Sequence, residues 1–186
     1  QTQGGFDFGD GDGGDDLSGG PGLLPGQIPM DDAVALLKPV LEDASILKIG
    51  QNIKYDMQIL CRYGMDVAPV DDTMLLSYVT EGGLFSHGMD SMASRHLNYD
   101  TIKFSTVAGS GKNKVTFDLV PLDKALDYAA EDADITCRLH HVLKQKLVND
   151  RLVTVYETLE RPLINVLDTM ERTGIKVDAS VLNGLS

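Results

Sequence analysis

Between Asp31 and Thr173 this chain contains only two short runs able to form strands, "ILKIG" and "DVAPV", set among stretches with helical spacing. Short apolar runs bounded by Gly or Pro read as buried strands, whereas apolar residues recurring at three and four read as helix. Asp31 is expected to cap "DDAVALLKPVLEDA", which Pro39 bends, and Asn52 to cap "IKYDMQILCRY", which Gly64 stops. Asp71 or Asp72 opens "TMLLSYVTE", and Asp90 caps "SMASRHL". After a polar loop, "AGSGKNKVTFD", one long helix is expected from about Pro121 to Val148 and another from about Leu152 to Thr173, with Gly174 ending it. In the last of these, Leu159, Leu163, Val166, Leu167 and Met170 read as core packing, and Pro162 as the cause of a bend. Helices alternating with strands point to an α/β domain, which normally covers a sheet of about four to six strands. Two strands fall short of that sheet, so its early strands are expected upstream of Gln1.

Ten of the nineteen glycines lie in the first 30 residues, with five acids and no Lys or Arg. Such a stretch buries too little apolar surface to offset its ordering entropy and reads as a flexible segment, residues 1–30. Its "GDGDGGDD" echoes calcium loops but lacks the closing Glu of an EF-hand and any nonapeptide repeat. The same residues carry −5 of the net charge of −12, which weakens the objection that an acidic chain cannot meet nucleic acid. No apolar run of eighteen residues is present, so no membrane span is expected. Cys61 and Cys137, in apolar helical contexts, read as small buried hydrophobes in a reducing cytoplasm.

Chemistry-bearing residues cluster in two places. In "LDYAAEDADITCRL", Tyr128 and Asp132 are four apart and share a helix face. They can be a solvated pair, or a hydroxyl that orients water beside a carboxylate that holds a metal. In "GQNIKYDMQIL", Asp56 adjoins the apolar stripe of Ile53, Met57, Leu60 and Cys61. It can simply be a first-turn acid favoured by the helix dipole, yet it also lies just beyond a strand's C-terminal end, where α/β sheets place ligands. Other signals fail: "AGSGKNK" would need Gly at Thr106 and Ser or Thr at Asn113 to be a phosphate loop, and the four histidines match no zinc spacing. Lys112 and Lys114 read as a solvated loop able to approach DNA phosphates.

"GQNIKYD" and "YAAEDAD", about seventy residues apart with "DDTMLLSY" and "HGMDSMA" between them, resemble the proofreading 3′–5′ exonuclease domain of the bacterial DNA polymerase I family (family A). The resemblance covers roughly residues 31–186, and "ERPLINVLDTMERTGIKVD" resembles the entry into that family's polymerase domain. It implies an RNase H-like α/β fold, a partial exonuclease domain over 31–150, and a connecting helix with the start of a polymerase domain over 151–186. It also implies two divalent ions, Mg²⁺ or Mn²⁺, which hard carboxylate oxygens suit. On the family's pattern Asp132 would ligate one ion and Asp56 would help hold the second. Tyr128 would orient the attacking water, and Gln51 and Asn52 would contact the 3′-terminal nucleotide. Glu131 and Asp134 are left as solvated or supporting acids.

The family's first motif, Asp-x-Glu on a strand, is absent from this sequence. The chain is therefore expected to begin after that motif, to be nearly inactive alone, and to pack loosely because "ILKIG" has unpaired edges. The implied parent is a cytoplasmic, nucleoid-associated, monomeric DNA-directed DNA polymerase of replication and repair. Its partners would be a single-stranded 3′ end and, through the missing domain, primer–template DNA. The alternative is a non-catalytic scaffold that keeps the exonuclease fold.

Overall fold

Two strands pair with each other, the first within the expected "ILKIG" and the second displaced so that it keeps only Val70 of "DVAPV". In the computed structural model, which describes residues 26–111, 114–177 and Gly184, β1 (Lys48–Gly50) and β2 (Val70–Asp72) run parallel, with Lys48 opposite Val70 and Gly50 opposite Asp72. Parallel strands need a crossover, and helix α2 (Ile53–Arg62) supplies it. Its Ile53 and Met57 pack with Val67, Val70 and, from the last helix, Ile164. The tight entry into α2 depends on Gly50, because a Cβ there would stand 2.8 Å from that of Ile53. Among the described residues these two strands are the whole sheet.

Helices account for most of the remainder. Helix α1 (Met30–Leu41) precedes β1, and α3 (Thr73–Glu81) follows β2 directly. A 3-10 turn (Gly82–Leu84) leads to α4 (Met89–Met92), which widens into a π-helical segment (Ala93–Leu97). Helix α5 (Phe104–Ala108) and a 3-10 turn (Phe117–Leu119) precede the long α6 (Leu122–Asn149). The chain then runs through α7 (Val153–Val155), a second π segment (Tyr156–Glu160) and α8 (Arg161–Thr173), where Gly174 at φ +68° ends it. The main core joins Leu76 of α3, Met92 and Ala93, Ile135, Leu139, Leu143 and Leu147 of α6, and Tyr156.

A polar knot ties this core to the sheet. Asp71 of β2 is fully buried and accepts hydrogen bonds from His140 Nε2 (2.8 Å) and Tyr156 Oη, with Lys144 Nζ at 3.0 Å. Arg161 donates from Nε to the Val70 carbonyl at 2.8 Å and pairs with Glu157 at 2.7 Å. Burial alone would raise the Asp71 pKa, but the bonds from His140, Tyr156 and Lys144 outweigh it and bring the carboxyl down to about 2.

Several sequence expectations change. Pro29, not Asp31, occupies the cap of α1, and Asp31 and Asp32 sit in its first turn. Gly88 caps α4, with Asp90 inside the first turn. The single helix expected from Leu152 is broken by the π segment. Leu159, Leu163, Val166, Leu167 and Met170 are all more than a third exposed, because α8 turns Ile164 and Asp168 inward instead. Cys137 is exposed and Cys61 only half-buried, its Sγ 2.7 Å from Arg172 Nη1. The Gly- and Asp-rich segment up to residue 25, Lys112, and the residues expected to begin a further domain beyond Val177 (Gly184 apart) lie outside the described residues.

Removing Asp71 strands three donors around one buried position. Asp71→Ala is expected to lower unfolding free energy in urea by about 3 kcal/mol, and Tyr156→Phe by about 1–2 kcal/mol. The folded pKa of Asp71 is depressed, so its contribution is present above about 4 and lost as pH falls toward about 2. Asp71→Asn should therefore flatten the acid limb of the stability profile.

Candidate active site

Tyr128 and Asp132 lie one turn apart on α6, as their spacing requires, and each is an electrostatic neighbour of the other. Tyr128 is buried, its ring edge-on to Phe104 at 5.8 Å and beside Phe117 at 5.9 Å. These aromatics fix the ring, so packing holds the hydroxyl in place. Burial raises the Asp132 pKa most. Tyr128 opposes that, the charges of Glu131 and Asp90 add to it, and the carboxyl ends at about 6. Tyr128 is held well above the ordinary phenol range by burial and by Asp132.

Two further acids surround this pair: Glu131, expected to be solvated or supporting, and Asp90, expected only to cap a helix. Glu131 accepts from Tyr99 Oη and from the Ile102 amide, each at 2.7 Å, and so pins the 99–102 segment to α6. Asp90 accepts from Thr101 Oγ1 at 2.6 Å and from Lys103 Nζ at 2.8 Å, while its charge reaches Asp132 and Tyr128. No local pattern announces either role, because the partners come from a different segment. Asp134, by contrast, is exposed and meets only Arg138 at 3.4 Å, as a solvated acid should.

Asp56 sits at an exposed position in the first turn of α2, where the protein packed around its carboxyl and the neighbouring Asp72 charge push it up to about 6. Its electrostatic neighbour is thus Asp72, not the α6 pair. The cap expected from the Asn52 side chain is missing, since Asn52 is left-handed (φ +59°) and makes no such bond. Asp72 acts in its place. Its carboxylate accepts from the Asn52 amide (3.1 Å) and Ile53 amide (2.9 Å) of α2, and from the Met74 (2.8 Å) and Leu75 (3.3 Å) amides of its own helix. One buried side chain caps two helices and sets the position of Asp56.

Gln51 is occupied at both ends: Nε2 donates to the His87 carbonyl at 2.9 Å and Oε1 accepts from Thr73 Oγ1. Asn52 is exposed and keeps its side chain facing solvent. The donor set of Asp56 and Asp132 is all oxygen and is destabilised as anions, which suits a hard divalent cation in kind. In number it is incomplete: among the described residues no three His, Cys, Asp or Glu side chains gather closely enough to hold a metal ion. His140 and His141 point to separate partners, Asp71 and the Cys137 carbonyl.

With this geometry in view, a family model described as 3′–5′ exonuclease matches residues 23–148. DNA polymerase I of Rhizobium leguminosarum is 54% identical over 171 residues, which cover 92% of this chain and 17% of the relative. DNA polymerase I of Pseudomonas aeruginosa is 43% identical over 163 residues, covering 86% of the chain and 18% of the relative. The chain therefore spans about a sixth of the length of the curated relatives it matches. Among solved structures, Brucella melitensis NrnC bound to pGG superposes with a TM-score of 0.59 at 26% identity, over 77% of this chain and 68% of that one. The expected α/β exonuclease fold is thereby found, and no helix among the described residues is long and apolar enough to cross a membrane.

The raised Asp132 pKa has a stability consequence whose sign is fixed. The folded state holds this proton more tightly than the unfolded chain, so stability falls as pH rises from about 4 to about 6. In EDTA, Asp132→Asn is expected to stabilise the protein at pH 7 by about 1–2 kcal/mol, after allowance for the partial exposure of the group. That gain should vanish at pH 4, which chemical denaturation at the two pH values would read.

Proposed function

Because this chain belongs to the 3′–5′ exonuclease family, we propose that it is the proofreading part of a DNA-directed DNA polymerase and trims the 3′ end of single-stranded DNA. The observation that carries the reading is the Tyr128–Asp132 pair on one face of α6, where each side chain raises or tempers the other's pKa. Its residue types, order and spacing from Asp56 are those the polymerase I resemblance requires, and the polymerase I relatives support it along most of the chain.

Divalent-metal dependence is general in this family. On this reading Asp132 holds one Mg²⁺ or Mn²⁺ ion directly, and Asp56 helps hold a second through its water shell. Bound, such ions supply charge stabilisation to the attacking and leaving oxygens of the phosphodiester. The chain's own residues orient the rest. Tyr128 stays protonated at working pH, so its neutral hydroxyl would position water by hydrogen bonding and not act as a base. Asn52 offers its exposed amide to the 3′-terminal nucleotide, whereas Gln51 acts first by holding the backbone at His87.

In the same reading residues 31–150 form the exonuclease portion and residues 151–186 lead into a polymerase domain that meets primer–template DNA. The parent protein is a monomer of the bacterial cytoplasm. A second reading, a non-catalytic scaffold, draws support from the absence of a three-ligand metal group among the described residues.

One assay separates the two. The protein expressed from its complete reading frame is given a 5′-labelled single-stranded oligonucleotide with Mg²⁺ or Mn²⁺, beside Asp132→Ala. Stepwise shortening from the 3′ end, reduced on the order of 10²–10³-fold in the variant, is expected. No shortening with either ion would leave the scaffold.

A further inference from the structure

The loop between α3 and α4 is braced on every side yet presents apolar side chains to solvent. Leu84 is 80% exposed and Phe85 52% exposed. Arg95 clamps the loop at both ends, donating to Glu81 Oε2 at 2.6 Å and to the Ser86 carbonyl at 3.4 Å. His87 Nδ1 lies 2.9 Å from Ser77 Oγ, and Gln51 Nε2 holds the His87 carbonyl. Single exposed apolar residues need no explanation on a slack surface. Here, however, the backbone is fixed by buried partners while the apolar tip is left out.

The position of the tip is informative. One end of the loop is bonded to Gln51, at the exit of β1 toward Asp56. Three residues further on, past that same end, stands Asp90, whose charge reaches Tyr128 and Asp132. The His87 end of the loop, two residues from Phe85, therefore joins the Asp56 side of the candidate site to the Tyr128–Asp132 side. Arg95 covers one face of the Phe85 ring, its Cζ 4.8 Å from the centroid, and the ring keeps half its surface open. A rigid ring backed by a guanidinium is the arrangement on which unpaired bases stack, with little dependence on sequence.

We propose that Leu84 and Phe85 form a stacking shelf for one nucleobase of a single DNA strand that runs toward Asp132. This rests on the exonuclease reading above and adds a subsite to it. Phe85 contributes affinity through its ring, and Leu84 bounds the shelf.

The test is binding of a fluorescein-labelled single-stranded oligodeoxynucleotide, followed by anisotropy in EDTA so that no hydrolysis occurs. Phe85 lies on the surface, so Phe85→Ala is expected to fold, with melting temperature as the control. It should weaken binding about tenfold, while Phe85→Tyr stays within about twofold of the parent. A set of oligonucleotides, each carrying one abasic position, supplies the specific readout. One abasic position should weaken binding to the parent protein and have no further effect on Phe85→Ala. Unchanged binding by Phe85→Ala, or abasic penalties that persist in it, would overturn the shelf alone. Failure of the parent protein to bind any single strand would overturn the exonuclease reading beneath it.

Discussion

Everything in this domain leans on the last two residues of β2. Because strand side chains alternate, Asp71 and Asp72 leave the strand on opposite sides. Asp71 reaches α6 and the π segment through His140, Lys144 and Tyr156, and Asp72 gathers four backbone amides from the starts of α2 and α3. A sheet of two three-residue strands has little cohesion of its own. Two buried carboxylates, each saturated with donors, turn it into the junction where four helical segments meet. Neither acid is spare: losing a partner would leave desolvated polar groups on both sides.

What separates the candidate site acids from Asp71 is the charge around them. Asp71 is surrounded by cations and donors and stays ionised far into acid, whereas Asp132 has one phenol and two further acids around it and Asp56 has Asp72. Identical side chains are thus sorted by their neighbours: Asp71 is held ionised, whereas Asp132 and Asp56, like the buried Asp72, are held above the ordinary carboxyl range. Asp72 offsets this with four backbone amides, while Asp132 and Asp56 have no such set and their charged forms cost stability.

How much of this was legible follows from distance along the chain. The first strand, the helix stops at Gly64 and Gly174 and the shared Tyr128–Asp132 face came from patterns over a few residues and were found, whereas the second strand keeps only Val70 of the expected "DVAPV". The Asp71 knot was not, because its partners His140 and Tyr156 lie 69 and 85 residues away. Asn52 carried a good cap signal, yet a carboxylate 20 residues downstream does the capping. The α8 stripe misled for a related reason. Its inward face includes Asp168, bonded to Arg172 at 2.5 Å, so a polar residue took a place that pattern reserves for an apolar one. Asp90 and Glu131 act through contacts from another segment, and no local signal marks them.

Helix α6 carries both Asp132 and His140 without interruption over 28 residues, about 42 Å. Asp132 lies eight positions before the histidine that latches onto Asp71. Each residue added to or removed from that interval would turn one face about 100° relative to the other. Changes of about seven or eleven residues would come near to restoring the phase, but they would shift the two groups by roughly 10–16 Å along the axis. Between these two points the helix can vary in identity but not in count, and insertions or deletions there should be purged long before substitutions are.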